Sequence, residues 1–404
     1  MRDREFQEKL LGIERPWFVD DVTVDREGKI VETRVAYDGE AICPLCERGA
    51  PRHDHRERRW RHLDLYEFEA YVIAQVPRVD CPEHGVHQMK VPLADARSGF
   101  TTLFERLAIS LLQEMSIAAV ARTLRLTWDE IDGIMQRAII RGLALRKDRM
   151  VQRIGIDEKS FKKRHKYVTV VTDLDASEVL WVGRGRKRET LDGFWRSLSP
   201  AQLAGIKGIA MDMWPAYIES TLNAVPDAAE KIVFDKFHIV KYLTHAVDLE
   251  RRAARRGDVT LKKTRYDWLR NPRNMDHSDK IAFAKLRNEH KRLGRAWAIK
   301  ESFAHFWTYR YIGAARNFFH WWYGWAVRSR LTHIKATAQL IARHFENILT
   351  YLRIPITNAA SESVNSKIQW MKYQARGFRN ETRFMQAILF HCGGLNLYPT
   401  HTNP

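Results

Sequence analysis

The chain has 404 residues and a net charge of +18, with 67 Lys and Arg against 49 Asp and Glu, and 45% of its residues are hydrophobic. At about 100–200 residues per domain, this length implies two or three domains of ordinary globular composition. No stretch approaches the ~20 apolar residues of a membrane span, and "MRDREFQEKLLGIERPW" at the start contains no signal-like apolar run, so a soluble cytoplasmic protein without a membrane partner is expected.

Residues 1–95 read as short strands and turns, with "FVDDVTVDREGKIVETRVAY" alternating apolar and polar around a turn at Arg26-Glu27-Gly28. Two knuckles lie in this region, Cys43-Pro44-Leu45-Cys46 and Cys81-Pro82-Glu83-His84, and they use three of the four cysteines. Four cysteines cannot build a disulfide framework in a chain this long, whereas tight Pro-containing turns aim paired soft ligands at one zinc ion. Cys43, Cys46 and Cys81 are therefore candidate zinc ligands, with His84 as the fourth and His87 as its alternative; reduced, buried cysteines are the competing reading. Between the knuckles "RHDHRERRWRH", residues 52–62, is basic and carries Trp60. It reads either as a track for a phosphate backbone or as a solvated ribbon.

From about Phe100 the period turns helical, and residues 96–149 form the next expected domain. Leu103, Leu107, Ile109, Leu111 and Leu112 make one amphipathic segment. Ser116 then caps a helix bearing Ile117, Val120 and Leu124, a turn falls at Arg125-Leu126, and Thr127 caps a second helix bearing Ile131 and Ile134. Helix, tight turn, helix at this length matches a helix-turn-helix, whose second helix is expected to enter the major groove. A plain helical hairpin has the same pattern, and the basic balance of the chain favours double-stranded DNA as partner.

Val151 opens a different texture. "RIGID", "HKYVTVVTDLD" and "SEVLWVGRG" read as three strands, the last two joined by a turn at residues 174–177. A helix is expected over residues 189–198, then a strand in "IKGIAMDMWPAY" ending at Asp212, a helix opened by Trp214 and Pro215, and a fifth strand in "KIVFDKFH" ending at Asp235. Three antiparallel strands followed by two strands separated by a helix is the ribonuclease H-like α/β order, in which the first and fourth strands lie side by side and parallel. That adjacency brings Asp157 and Asp212 within reach of a shared metal. The expected division is a first catalytic part over residues 150–243, an all-helical insertion over 244–340, and a last catalytic part over 341–404.

The insertion holds the whole basic block of residues 251–300, where 16 Lys and Arg meet 5 Asp and Glu, +11 of the total charge. Its aromatics, Phe306, Trp307, Tyr309, Tyr311, Phe318, Phe319, Trp321, Trp322 and Trp325, read as the core of a helical insert in preference to a base-stacking surface. After a helix over 343–353 and a break at Pro355, "ITNAASESVNSKIQWMKYQARGF" restarts a helix capped by Asn358 or Ser361 and ended by Gly377. Val364, Ile368 and Met371 face inward, and Glu362, Asn365 and Gln369 share another face.

Breaking and rejoining a phosphodiester needs a positioned nucleophile, a stabilised leaving oxygen and relief of charge on the phosphoryl group. Two divalent ions about 3.5–4 Å apart supply all three, and carboxylate oxygens suit Mg²⁺ or Mn²⁺. Asp157, Asp212 and Glu362 are the chosen ligands, one Asp bridging both ions and the Glu closing the second site; Glu158, Asp173, Asp175 and Asp235 are the nearest competitors. No GxxxxGK[ST] loop is present, so ATP-driven chemistry is not expected.

"GIDEKSF", "MDMWPAY", "VFDKFH", "TNAASESVNSKI" and "ARGFRN", in this order, resemble bacterial insertion-sequence transposases of the IS-L-three family. The resemblance covers nearly the whole chain, including the Cys43/Cys46/Cys81 module and the helix-turn-helix. It implies a DDE triad on Asp157, Asp212 and Glu362, with a long helical insertion before the Glu. Asp235-Lys236-Phe237-His238 is similar to a D-x2-H element of related transposases, which places His238 near the scissile phosphate. Two departures stand out: His84 replaces a common cysteine, and Asn358-Ala359 replaces the usual Asn-Gly.

The expected function is a metal-dependent DNA transposase that binds terminal inverted repeats and target DNA, acts in the bacterial cytoplasm at the nucleoid, and assembles as at least a dimer when two ends are synapsed. A DNA-binding regulator with an idle catalytic fold differs from it in showing no metal-dependent nicking, and a structure-specific nuclease in yielding no joined products.

Overall fold

The computed structural model describes residues 3–162, 166–234, 236–356 and 359–399. Asp235 and Asn358, named above, lie outside the described residues. The chain divides into two compact units, one running to Lys147 with Met371–Gly377 and the segment from Leu395, the other comprising Asp148–Trp370 and Phe378–Gly394.

In the first unit, α1 (Asp3–Leu11) precedes β1 (Trp17–Asp25), β2 (Ile30–Tyr37), β3 (Arg52–Leu65), β4 (Phe68–Cys81) and β5 (Gly85–Gln88). The sheet order is β1-β2-β4-β3, with β5 also paired to β4. Asp25 builds the first hairpin by accepting the backbone N–H groups of Glu27 and Gly28 at 3.0 and 2.9 Å. Alternation along β4 sends Val72, Ala74 and Val76 into a core with Trp17, Val35 and Trp60. The basic ribbon is β3 itself, a 14-residue edge strand, longer than the short strands expected.

Three helices follow: α2 (Thr102–Glu114), α3 (Ile117–Leu124) and α4 (Trp128–Ala144). Ser116 and Thr127 are the N-caps, and Thr127 with Glu130 forms a capping box. The turn between α3 and α4 works because Arg125 takes a left-handed conformation, φ 56°. Glu105 on α2 is almost fully buried and accepts from Ser98 Oγ at 2.8 Å, Arg137 at 2.6 Å and Arg141 at 3.1 Å, which ties α4 to α2.

The second unit begins with β6 (Arg153–Lys162), β7 (Lys166–Asp173) and β8 (Glu178–Arg184), then α5 (Arg188–Arg196), α6 (Pro200–Gly205), β9 (Gly208–Met211), α7 (Pro215–Ala224), α8 (Ala228–Lys231), β10 (Ile232–Phe234) and α9 (Lys236–Arg255). The five strands are ordered β10-β9-β6-β7-β8. β6, β7 and β8 are antiparallel neighbours, while β9 runs parallel to both β6 and β10. This is the ribonuclease H-like sheet. Helices α10 (Arg265–Leu269), α11 (His277–Glu289), α12 (Lys291–Ser302), α13 (Ile312–Arg328), α14 (Thr332–Arg343) and α15 (Phe345–Arg353) follow, then α16 (Ala359–Gln374) and α17 (Glu381–Cys392).

Period two gives this sheet two different faces. Ile154, Ile156, Ile209 and Met211 enter the large core, which continues into the aromatic helices around Phe303, Phe306, Phe319 and Trp322. Most of the aromatic run is thus structural, with Tyr311 and Trp321 its exposed members. The basic block is partly neutralised inside the fold: buried Asp248 accepts from Arg251 at 2.7 Å and pairs with Arg252 at 2.8 Å. On the opposite face Ala210 and Val233 pack with Ile356, and Gly155 leaves room for α16. A Cβ at Gly155 would sit 2.8 Å from Leu174 Cδ2 and 3.0 Å from Ser361 Oγ.

Two local expectations change. β6 does not end at Asp157; it stays paired to β7 as far as Lys162↔Lys166, because only its partnership with β9 stops, at Gly155↔Ala210. Ser361 is not the cap of α16 but lies inside the helix, buried against the strand face that Gly155 vacates. At the other end, Arg376 takes the left-handed position at φ 51°, and Gly377 follows it, donating to the Lys372 carbonyl at 2.8 Å.

Filling the Gly155 gap should cost about 1–3 kcal/mol through overpacking. Gly155→Val is expected to lower the melting temperature of the protein by several degrees, with Gly155→Ala intermediate, measured by differential scanning calorimetry. An unchanged melting temperature in Gly155→Val would show that the space is not needed.

Candidate active site and zinc centre

The zinc centre is built by two turns. Cys43 and Cys46 flank a turn in which the Glu47 N–H reaches the Cys43 carbonyl at 3.0 Å, and Cys81 and His84 flank another in which the His84 N–H reaches the Cys81 carbonyl at 3.2 Å. Their ligand atoms all lie within 4.8 Å of one another. Cys46 Sγ and Cys81 Sγ are 3.8 Å apart, His84 Nδ1 is 3.8 Å from Cys43 Sγ and 3.5 Å from Cys81 Sγ. A tetrahedral ion with Zn–S bonds of about 2.3 Å needs S···S edges of about 3.8 Å, so this Cys₃His set fits zinc. The Arg48 backbone N–H, helped by the Arg48 side chain, lowers the Cys46 thiol to about 6, so it is ready as a thiolate ligand. His87 is turned to other work, its Nε2 lying 2.8 Å from the His84 carbonyl.

The acids gather in the second unit. Asp157 stands two residues beyond Gly155 and Asp212 two residues beyond Ala210, the last pair of the parallel β6/β9 ladder, so the two carboxylates lie at one level where β9 ends. Glu362, in the first turn of α16, completes the wall. All three line a cavity of about 350 Å³, together with Glu158, Lys159, His238, Lys241 and Asn365. Among the competing acids, Asp173 and Asp175 are committed elsewhere, Asp173 to Arg149 at 2.9 Å and Asp175 to Arg153 at 2.5 Å.

Each aspartate is held from several sides. Asp157 Oδ1 accepts the Glu158 N–H at 2.7 Å, and Oδ2 accepts from Asn365 Nδ2 at 3.2 Å and pairs with Lys159. Asp212 Oδ1 accepts the Met213 N–H at 2.7 Å, His238 Nδ1 stands 3.4 Å from Oδ2, and the Tyr242 hydroxyl donates to Oδ1 at 3.4 Å. Burial pushes the Asp212 carboxyl up, but the hydrogen bond and charge of His238 with the Met213 N–H outweigh it and hold the group below the usual range. Glu158, by contrast, is raised by burial and by the charges of Asp157 and Asp212. Tyr242 is pushed up to about 12 by burial and the Asp212 charge, so it stays a proton donor. The carboxylates that line this cavity offer hard oxygen donors, the kind a divalent cation takes.

Lys159 and Asn365 stood in the quoted motifs without assigned roles, and Lys241 and Tyr242 were missed. Their signal was present: residues three and four beyond His238 share its face of α9. The helix-turn-helix and β3 also differ in detail from a simple basic reader. The first turn of α4 carries exposed Asp129 and Glu130, and Arg137 and Arg141 are bound to Glu105. Exposed cations stand instead on α3, at Arg122, and along β3, at Arg52, Arg56 and Arg59.

A ribonuclease H-like sheet with acids collected at the end of its parallel strands defines the class of DDE phosphodiester-processing enzymes. The comparisons narrow it. A DDE transposase family of the ISL3 type matches residues 154–388. The helix-turn-helix domain of transposase family ISL3 matches residues 89–139, and the zinc finger of the IS204/IS1001/IS1096/IS1165 transposases matches residues 39–84. The chain belongs to the ISL3 transposase family and is a DDE transposase. It is 29% identical to the transposase for insertion sequence element IS1557 of Mycobacterium tuberculosis, over 98% of this chain and 96% of that protein. It is also 29% identical to the transposase for insertion sequence element IS1001 of Bordetella parapertussis, over 85% of this chain and 87% of that one. No helix among the described residues is long and apolar enough to cross a membrane.

The purified protein should carry one zinc per chain by mass spectrometry of bound metals. His84→Ala is expected to lose it and His87→Ala to retain it; the reverse pattern would contradict the ligand set.

Proposed function

We propose that this transposase recognises terminal inverted repeats through its zinc module (residues 1–95) and helix-turn-helix (96–149), and cleaves and joins strands in the ribonuclease H-like part (150–243 and 341–404), which the helical insertion (244–340) interrupts. The observation that carries the catalytic reading is the shared level of Asp157 and Asp212 beyond Gly155↔Ala210, with Glu362 lining the same cavity. These three acids are the proposed ligands for Mg²⁺ or Mn²⁺. When bound by these acids, such ions would supply charge relief on the phosphoryl group and an activated oxygen nucleophile.

The chain's own groups set the rest of the site. His238 orients Asp212 from the first turn of α9, and Tyr242 keeps its proton and steadies the same carboxylate. Asn365 fixes the rotamer of Asp157 from the helix that bears Glu362. Arg122 and the β3 arginines suit phosphates. Joining two ends requires two active sites in one assembly, so the reacting species is a dimer or larger.

Incubated with terminal-repeat DNA and Mg²⁺, the protein should nick at the element end and give strand-transfer products. Asp157→Ala, Asp212→Ala and Glu362→Ala are each expected to slow cleavage by about a thousandfold or more, since several kcal/mol of charge stabilisation is lost. Cleavage that survives any of these substitutions would contradict the assignment, and nicking without joined products would make the protein a nuclease.

Binding to the repeats should weaken by about a thousandfold or more between about 50 and 200 mM salt, as counterion release at six or more phosphates requires. A flat response in a fluorescence-anisotropy titration would mean that the net charge of +18 serves another partner.

A further inference from the structure

We propose that Lys159 is a displaceable counter-ion of the active site: its ammonium occupies Asp157 in the metal-free enzyme and gives way when a divalent ion enters. The inference rests on the reading of Asp157 as a metal ligand. Asp157 and Lys159 are two residues apart on β6, so both side chains stand on the face that fronts the cavity. The Lys159 side chain is only 13% exposed, although lysine normally extends into water, and its ion-pair partner is Asp157 Oδ2.

The chain itself occupies both oxygens of Asp157. Oδ1 takes the Glu158 N–H and Oδ2 takes both Asn365 and Lys159. Asn365 is neutral and can remain beside a metal-bound carboxylate. An ammonium cannot share that oxygen with a divalent ion without like-charge repulsion, so metal entry exchanges one cation for another. The exchange has a purpose in the free protein. Asp157, Glu158 and Asp212 crowd one end of the sheet, and Lys159 offsets their repulsion while no metal is bound. Once released, the ammonium stays in the cleft on a flexible stem.

The test is equilibrium Mn²⁺ binding to the DNA-free, full-length protein, followed by electron paramagnetic resonance, for wild type, Lys159→Met and Asp157→Asn. Lys159→Met is expected to bind Mn²⁺ about tenfold more tightly, because the competing cation is gone. Unchanged or weaker binding in Lys159→Met, with binding lost in Asp157→Asn, overturns the counter-ion while leaving the ligand assignment intact. Wild-type affinity in Asp157→Asn overturns the ligand assignment itself. Should Lys159→Met fail to fold, the wild-type protein still decides the matter through amine acetylation read by peptide mass spectrometry. Lys159 should be protected without Mn²⁺ and modified several-fold faster with it, and equal rates in the two conditions overturn the proposal.

Discussion

The parallel pairing of β6 with β9 stops at Gly155↔Ala210 while β6 continues along β7, and the rest of the catalytic unit depends on that mismatch in length. Had β9 run further, its ladder would have covered the ground where Asp212 now stands. Because it ends, the chain turns at Trp214 and Pro215 into α7, and a cavity opens beside a strand that is still held rigidly by β7. Rigid support on one side and open space on the other is how a scaffold holds a carboxylate in place yet accessible.

Small residues govern what closes over that strand. Gly155 and Ala210 lower the sheet surface on one face, and Ser361 fills the depression, so the first turn of α16 brings Glu362 and Asn365 to the cavity. On the opposite face bulky Ile154, Ile156 and Met211 anchor the sheet in a core continuous with the aromatic helices. The helical insertion thus contributes to the stability of the catalytic unit through Phe306, Phe319 and Trp322. Charge follows a similar economy: Glu105, Asp248 and Asp157 each meet cations within their own unit. Each such pair is neutral, so the net charge of +18 resides on the cations that these acids do not match.

Much of this was legible in the sequence, for physical reasons that differ by element. The caps Ser116 and Thr127 and the zinc knuckles are local patterns, complete within a few residues. Alternation and the helix between the last two strands reveal the order of elements, and its likeness to the ribonuclease H-like arrangement implies that β6 and β9 are parallel neighbours, with Asp157 beside Asp212. What escaped was contact between distant segments. Ser361 looked like a cap because serine caps helices, and only Gly155 across the sheet explains why it is buried instead. β6 seemed to end at its charged cluster because Glu158 and Lys159 break the apolar alternation, but backbone pairing with β7 needs no apolar side chains. The choice of His84 over His87 rested on a turn of three residues that spacing alone could not resolve.

The proposed convergence of Asp157, Asp212 and Glu362 on common divalent ions is tested most directly in a crystal of the protein bound to repeat-end DNA, grown with Mn²⁺ and measured at the manganese absorption edge. Two anomalous peaks about 3.5–4 Å apart in this cleft, ligated by Asp157, Asp212 and Glu362, are the expected result. Peaks ligated by other acids, or no peak in this cleft, would contradict it.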